Sequence, residues 1–306
     1  MGPEDTPSVL DDPILKDVPV SDGQKVLGDV VLSCRAGKGG FGVVYKGHHP
    51  RLALDVAVKV MALPPHIPDD RVEHYIQRFI REARMAAAVR HTNLVRVIDV
   101  NHMHGVHFLV MDFVDGQTAA ERLRARGPLR EEQALKICAG AASGLAEAHR
   151  QGIVHRDVKP QNILIDHGRV RVSDLGLAKA YNTRSESDAA TAVTESREVV
   201  GTAAYMPPEQ FGATSTVAPP ADVWSLGVTL FQLLTAKVPW DDPNVFNLAH
   251  MIMNDPAPEV RSIRSDLSNG TNAIIAKSLS KDPADRFPDC GVMSEALRLH
   301  VRWMAQ

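Results

Sequence analysis

Cysteine is sparse in this chain: Cys34, Cys138 and Cys290 are the only three among 306 residues. They are odd in number and far apart, with no CxxC pair for zinc and no disulfide framework, so they read as small buried hydrophobes in a reducing compartment. Long apolar runs are missing too. No uncharged stretch approaches the ~18 to 20 residues that span a bilayer, and the N-terminus lacks the basic-then-apolar pattern of a signal peptide. Charge of one sign is not in excess: 34 Lys and Arg stand against 37 Asp and Glu, a net of −3. No overall field therefore recruits nucleic acid or an anionic membrane, and no internal repeat is found. What remains is a cytoplasmic chain, 44% hydrophobic and 23% charged, long enough for one large domain or two lobes.

The chain changes character along its length. Residues 1–25 hold Glu4, Asp5, Asp11, Asp12, Asp17 and Asp22 against Lys16 and, at the very end, Lys25, with Pro3, Pro7, Pro13 and Pro19 interleaved. Such a composition predicts a mobile leader whose ordering entropy is not offset by burial. From Val26 to Val114, short β-branched or aromatic runs (Val43-Val44-Tyr45, Val56-Ala57-Val58, Val95 to Ile98, His107 to Val110) predict strands between Gly, Pro and Asn breaks. One helix interrupts them, starting near Asp69-Asp70 and carrying Val72, Tyr75, Phe79, Ala83 and Ala86 at helical spacing. Beyond Asp115 helical patterns dominate, among them Glu131 to His149 and Val223 to Leu234. The expected class is α+β, with a small sheet-rich lobe (26–114), a larger helical one (115–303) and a short tail (304–306).

Gly37-Lys38-Gly39-Gly40-Phe41-Gly42-Val43-Val44 fits G-x-G-x-x-G-x-V between strand-like runs, where missing side chains let backbone N–H groups approach phosphates. The same glycines could open a dinucleotide-binding unit, but a helix should then follow, and Val43 to Lys46 continues as strand. Lys59 ends the Val56-Ala57-Val58 strand. Glu82 falls on the apolar face of the single helix, three residues after Phe79 and four before Ala86, where a carboxylate needs a cation. A Lys59–Glu82 pair would set Lys59 against the α- and β-phosphates and could act as a switch. Glu73 is a rival partner, with a helix-dipole role as its plainer reading.

His155-Arg156-Asp157-Val158-Lys159-Pro160-Gln161-Asn162, followed by Asp174-Leu175-Gly176, holds what a metal-dependent phosphoryl transfer needs. Asp157 is a candidate base for the attacking hydroxyl. Lys159 can neutralise charge on the moving phosphoryl group, and Asn162 and Asp174 offer oxygens suited to Mg²⁺. Each residue has a plainer reading as a turn or cap, but the four occur together in register.

These residues carry a resemblance. From about 28 to 303 the chain resembles the eukaryotic-type (Hanks-type) protein kinases, and most of all the Ser/Thr kinases of that type found in bacteria. The motifs also include Gly201-Thr202, Pro207-Pro208-Glu209, Asp222 to Gly227, and Arg286. The resemblance implies a bilobal kinase-like fold that binds ATP with Mg²⁺ or Mn²⁺. Gly37, Gly39, Gly40, Gly42 and Lys59 would hold the phosphates; Val44, Ala57 and Leu164 would sandwich the adenine, Met111 would be its gatekeeper, and backbone at Asp112 and Val114 would bond its edge. It likewise implies that Glu209 pairs with Arg286 and that Asp222 braces the His155-Arg156 backbone. Lys159 with Thr202 points to serine and threonine of proteins as acceptors.

Thr183, Ser185, Ser187, Thr191, Thr194 and Ser196 crowd the stretch before Gly201. By resemblance Arg156 would bind a phosphate there, with Thr194 and Ser196 as the autophosphorylated positions and a homodimer as one way for copies to modify each other. Three positions depart from the commonest pattern: Leu175 for phenylalanine, Ala36 before the glycine loop, and Pro207 for alanine. The rival class is a pseudokinase or nucleotide-binding scaffold, usually marked by loss of the phosphate lysine, the base or the metal aspartate. Lys59, Asp157 and Asp174 are all present. Whether the chain is part of a longer membrane receptor is left open by the sequence.

Overall fold

A computed structural model describes residues 8–39, 42–63, 68–176, 201–211 and 217–306. They form two compact units. The first takes in the described residues up to Ala88 together with Val95–Asp115; the second takes in Val89–Leu94 and those from Gly116 onward.

In the first unit, β1 (Val20–Ser21), β2 (Gln24–Leu27), β3 (Val30–Gly39), β4 (Gly42–His49) and β5 (Leu54–Met61) precede α1 (Asp69–Ala88), which is followed by β6 (Val97–Met103) and β7 (Val106–Asp112). The strands make one antiparallel sheet ordered β1-β2-β3-β4-β5-β7-β6. Short hairpins set its register. Asp22-Gly23 and His104-Gly105 each lie at positive φ, the two-residue geometry whose twist matches that of the flanking strands.

Alternation along the strands gives the sheet two different faces. Cross-strand pairing puts Val44, Lys59 and Leu109 side by side, and Ala57 beside Met111. On the other face Val43, Tyr45, Val56, Val58, Val60, Phe108 and Val110 form one buried apolar cluster. That cluster is completed by Val9, Leu15, Val18 and Leu27.

The expectation of a mobile leader over 1–25 therefore fails for residues 8–25. Asp12 caps a 3-10 turn over Pro13–Leu15 by accepting from the Ile14 N–H, and Arg35 lies 3.6 Å from its other oxygen. Lys25, 5% exposed, donates to the carbonyls of Leu15 at 2.9 Å and Val18 at 2.5 Å. Composition misled because Val9, Leu15 and Val18 are buried in the sheet's apolar cluster, while Asp12 and Lys25 satisfy the chain locally.

The second unit is mainly helical. β8 (Gln117–Thr118), α2 (Ala119–Arg126), α3 (Glu131–Arg150), β9 (Ile163–Asp166) and β10 (Arg169–Val172) come first. After them come α4 (Pro208–Phe211), α5 (Pro220–Thr235), α6 (Val245–Asn254), α7 (Val260–Ile263), α8 (Asn269–Ser278) and α9 (Cys290–Met304). α5 is apolar nearly all round and buried along almost its whole length, as a helix at the centre of a unit must be; α3, α8 and α9 pack on it. β8, β9 and β10 form a small antiparallel sheet that the helical patterns did not announce. Two- and four-residue strands carry too little periodicity to be read.

Leu15 is fully buried against the sheet. Leu15→Ala should lower unfolding stability in urea by about 2–5 kcal/mol, whereas a loss under about 0.5 kcal/mol would mean that the segment lies loose on the sheet.

Candidate active site

The first unit gathers one set of site residues by strand pairing alone. Val44, Ala57, Lys59 and Met111 share a sheet face, and Asp112 ends β7 with its N–H on the Arg96 carbonyl at 3.0 Å. Gly37 sits just past an irregularity in the β3–β4 register, and Gly39 pairs with Gly42. Gly40 lies outside the described residues. At Gly42 the backbone φ is +144°, and a Cβ would fall 2.0 Å from the Val60 carbonyl oxygen; a side chain is excluded there on both counts.

Lys59 and Glu82 are each only a few per cent exposed. Glu82 lies on the stripe of α1 that buries Phe79, Ala83 and Ala86, and Arg81 reaches it at 3.2 Å. Two opposite charges held out of water in one small unit need compensation from their surroundings. Glu73 is exposed and accepts from Gln77 at 2.6 Å, so its position suits the plainer reading.

The second unit assembles the rest around Asp157. Its carboxylate is 7% exposed, with Oδ1 2.9 Å from the Lys159 ammonium and Oδ2 accepting from the Asn162 amide at 3.0 Å. Asn162 also donates to the Asp157 carbonyl at 2.8 Å, and Lys159 donates to the Thr202 hydroxyl at 3.2 Å. Lys159 thus bridges the carboxylate and a threonine hydroxyl. A 3-10 turn over Pro160–Asn162 brings Asn162 back beneath Asp157. Leu164, on β9, and Asp174 belong to this unit as well.

Backbone restraints hold the loop. The Asp157 N–H donates to His155 Nδ1 at 3.2 Å, so the His155 proton sits on Nε2, which donates to the Ser173 carbonyl at 2.8 Å. The Ser173 N–H in turn donates to the Asn162 carbonyl at 2.9 Å. This ties the Asn162 turn to the residue before Asp174. Arg156 and Asp174 adopt φ of +68° and +62°, uncommon for side-chain-bearing residues and held only where surroundings impose them. Asp222 supplies much of that constraint, accepting the N–H groups of His155 and Arg156, each at 2.8 Å. Burial alone would push its pKa up, but the hydrogen bonds from His149 and from the Arg156 N–H hold it below the usual carboxylate range.

The donor set near Asp157 contains one carboxylate, Asp174, and one carboxamide, Asn162. Among the described residues no cluster of three His, Cys, Asp or Glu could hold a metal. A few hard oxygens fit an ion that keeps most of its waters and binds phosphate, as Mg²⁺ does, rather than a closed protein cage.

Residues 32–298 match the protein kinase domain model. The chain is 33% identical to the serine/threonine-protein kinase PrkC of Bacillus subtilis, over 87% of this chain and 39% of that protein. It is 34% identical to PknL of Mycobacterium tuberculosis, over 87% of this chain and 64% of the relative. With PknB of Mycolicibacterium smegmatis it shares 35% identity over 86% of this chain and 42% of the other. The chain belongs to the protein kinase domain family. It spans about two fifths to two thirds of the length of these curated relatives. The family uses ATP and a divalent metal.

Two features that kinase resemblance implied are present as geometry: the Asp222 brace on the His155 and Arg156 backbone, and the Glu209–Arg286 pair. Arg286, 3% exposed, forms a bidentate pair with Glu209, both contacts at 2.8 Å, and also donates to the carbonyls of Ser280, Pro220 and Lys281. Its guanidinium stacks over Trp224, which stacks on Trp240. Leu175, the departure after Asp174, is buried as an apolar plug. Ala36 sits at the β3 irregularity, exposed. Thr183, Ser185, Ser187, Thr191, Thr194 and Ser196 lie outside the described residues. Sequence reasoning missed His149, the partner of Asp222; a histidine at a helix end before Gly152 reads as ordinary C-terminal capping.

Removing Glu209 strands a buried guanidinium. Glu209→Ala should destabilise the protein by about 3–5 kcal/mol, read as a fall in the urea midpoint; an unchanged midpoint would show that the carbonyl bonds of Arg286 suffice.

Proposed function

We propose that this chain is a protein serine/threonine kinase that transfers the γ-phosphoryl group of ATP to hydroxyls of protein substrates. The observation that carries this reading is the cluster in which Lys159 and Asn162 both bond the Asp157 carboxylate and Lys159 also donates to the Thr202 hydroxyl. A family scaffold with its carboxylate, lysine and amide in hydrogen-bond register is equipped for transfer rather than for binding alone. The relatives' names, serine/threonine-protein kinase, support the acceptor class.

In this reading Asp157 orients the acceptor hydroxyl and takes its proton, while Lys159 offsets charge building on the transferred group. Lys159 also donates to the Thr202 hydroxyl, and this lysine–threonine pair supports serine and threonine as acceptors by resemblance to the family. Lys59, held by Glu82, would bind the α- and β-phosphates, and Gly37, Gly39, Gly40 and Gly42 would give them backbone N–H groups. Val44, Ala57, Met111 and Leu164 would line the adenine, with backbone at Asp112 and Val114 bonding its edge. Asn162 and Asp174 would hold Mg²⁺ or Mn²⁺, which neutralises phosphate charge.

Arg156 would bind a phosphate carried by Thr194 or Ser196, added by another copy in a transient homodimer. Among the described residues no helix is long and apolar enough to cross a membrane, and Cys34, Cys138 and Cys290 are free thiols. A cytoplasmic placement, where ATP and Mg²⁺ are at hand, agrees with both.

With γ-labelled ATP, Mg²⁺ and a generic basic protein, the wild-type chain should transfer label to serine and threonine. Asp157→Asn should lower the rate by about 10²–10⁴-fold, and Lys59→Met should abolish detectable transfer without unfolding the protein. Wild-type rates in both variants would contradict the assignment. Phosphosite mapping of the wild-type protein after incubation with Mg-ATP should find Thr194 and Ser196 modified; full activity with both unmodified would remove their regulatory role.

A further inference from the structure

His149 occupies the last turn of α3, its side chain 4% exposed. Its Nε2 lies 2.8 Å from Asp222 Oδ2, and its Nδ1 faces the N–H of Cys290, the first residue of α9, at 3.4 Å. A backbone N–H can only donate, so Nδ1 accepts. The proton therefore resides on Nε2 and is donated to Asp222, which fixes one neutral tautomer.

Asp222 is fully buried at the start of α5. Its Oδ2 takes the His149 proton and the His155 N–H, and its Oδ1 takes the Arg156 N–H. Each of these donors matters, because an ionised carboxylate out of water has no other means of keeping its charge. The two backbone N–H groups belong to the residues just before Asp157, and the Arg156 φ of +68° is a conformation that needs outside support. A continuous chain of hydrogen bonds thus runs from the first turn of α9 through His149 and Asp222 to the peptide that aims the Asp157 carboxylate.

We infer that His149 is a positioning residue for phosphoryl transfer: by completing the donor set of Asp222, it keeps the Arg156 peptide in its left-handed conformation and Asp157 in line. The inference rests on the kinase reading above. If His149 merely filled space between α3, α5 and α9, its loss would cost stability and leave turnover per folded molecule unchanged. Acting through the loop, its loss reduces turnover and leaves nucleotide affinity alone.

The test measures kcat and the KM for ATP in the wild type, His149→Leu, which keeps bulk without a donor, and His149→Gln, whose amide N–H can replace Nε2–H. The Leu variant should lose about tenfold or more in kcat at a KM for ATP within about twofold, and Gln should recover most of the loss. A Leu variant with wild-type kcat, or a Gln variant no better than Leu, overturns the proposal. Should the Leu variant fail to fold, Cys290→Pro decides. It removes the N–H that fixes the ring, at the first helical position, where proline is tolerated. A lower kcat at unchanged KM supports the role, and an unchanged kcat overturns it. A wild-type chain without transfer would instead refute the kinase reading itself.

Discussion

One buried carboxylate organises the helical unit. Asp222 has no contact with water, yet three donors from two separate stretches of chain converge on it: a side chain at the end of α3 and two backbone N–H groups of the loop that carries Asp157. An isolated carboxylate in such a place would be driven to take up a proton. Surrounded by donors it stays charged, and a charged hub imposes its geometry on whatever supplies those donors. The loop is therefore shaped from below, by α5, and not by its own sequence preferences. His155 extends the same constraint upward by joining the Asp157 N–H to the Ser173 carbonyl.

The sheet of the first unit solves a different problem. A single strand, β5, must offer a lysine to one side and a continuous apolar surface to the other. Period-two alternation does this without compromise: Ala57 and Lys59 face one way, and Val56, Val58 and Val60 the other. The apolar side then needs a cover, and the chain provides it from residues 9–27. Burying Lys25 against two carbonyls and Asp12 near Arg35 lets a polar segment lie on a hydrophobic face.

Much of this was legible in the sequence. Asp157, Lys159 and Asn162 are close in sequence, so their spacing alone foretold a shared site. Glu82 was readable from its place on an apolar helical stripe, and the glycine loop from its alternation with strand. What could not be read was anything depending on long-range burial. Leu15 and Val18 look isolated among acids and prolines until the sheet they cover exists. His149 lies 73 residues from Asp222 in sequence, and no local pattern reports such a meeting. The strands β8 to β10 are too short to carry a period.

The cover also bears on where this domain begins. The family match starts at residue 32, after Val9, Leu15, Val18, Leu27 and Val30 have already entered the core. Homology thus marks the shared catalytic scaffold, while physics marks a larger folding unit. A fragment cut at the homology boundary would keep Lys59, Asp157, Asn162 and Asp174 and still present a bare face of valines, Tyr45 and Phe108 to solvent. Such a fragment would be prone to stick to its own kind. In this chain the outline of the family and the outline of the stable body are different lines.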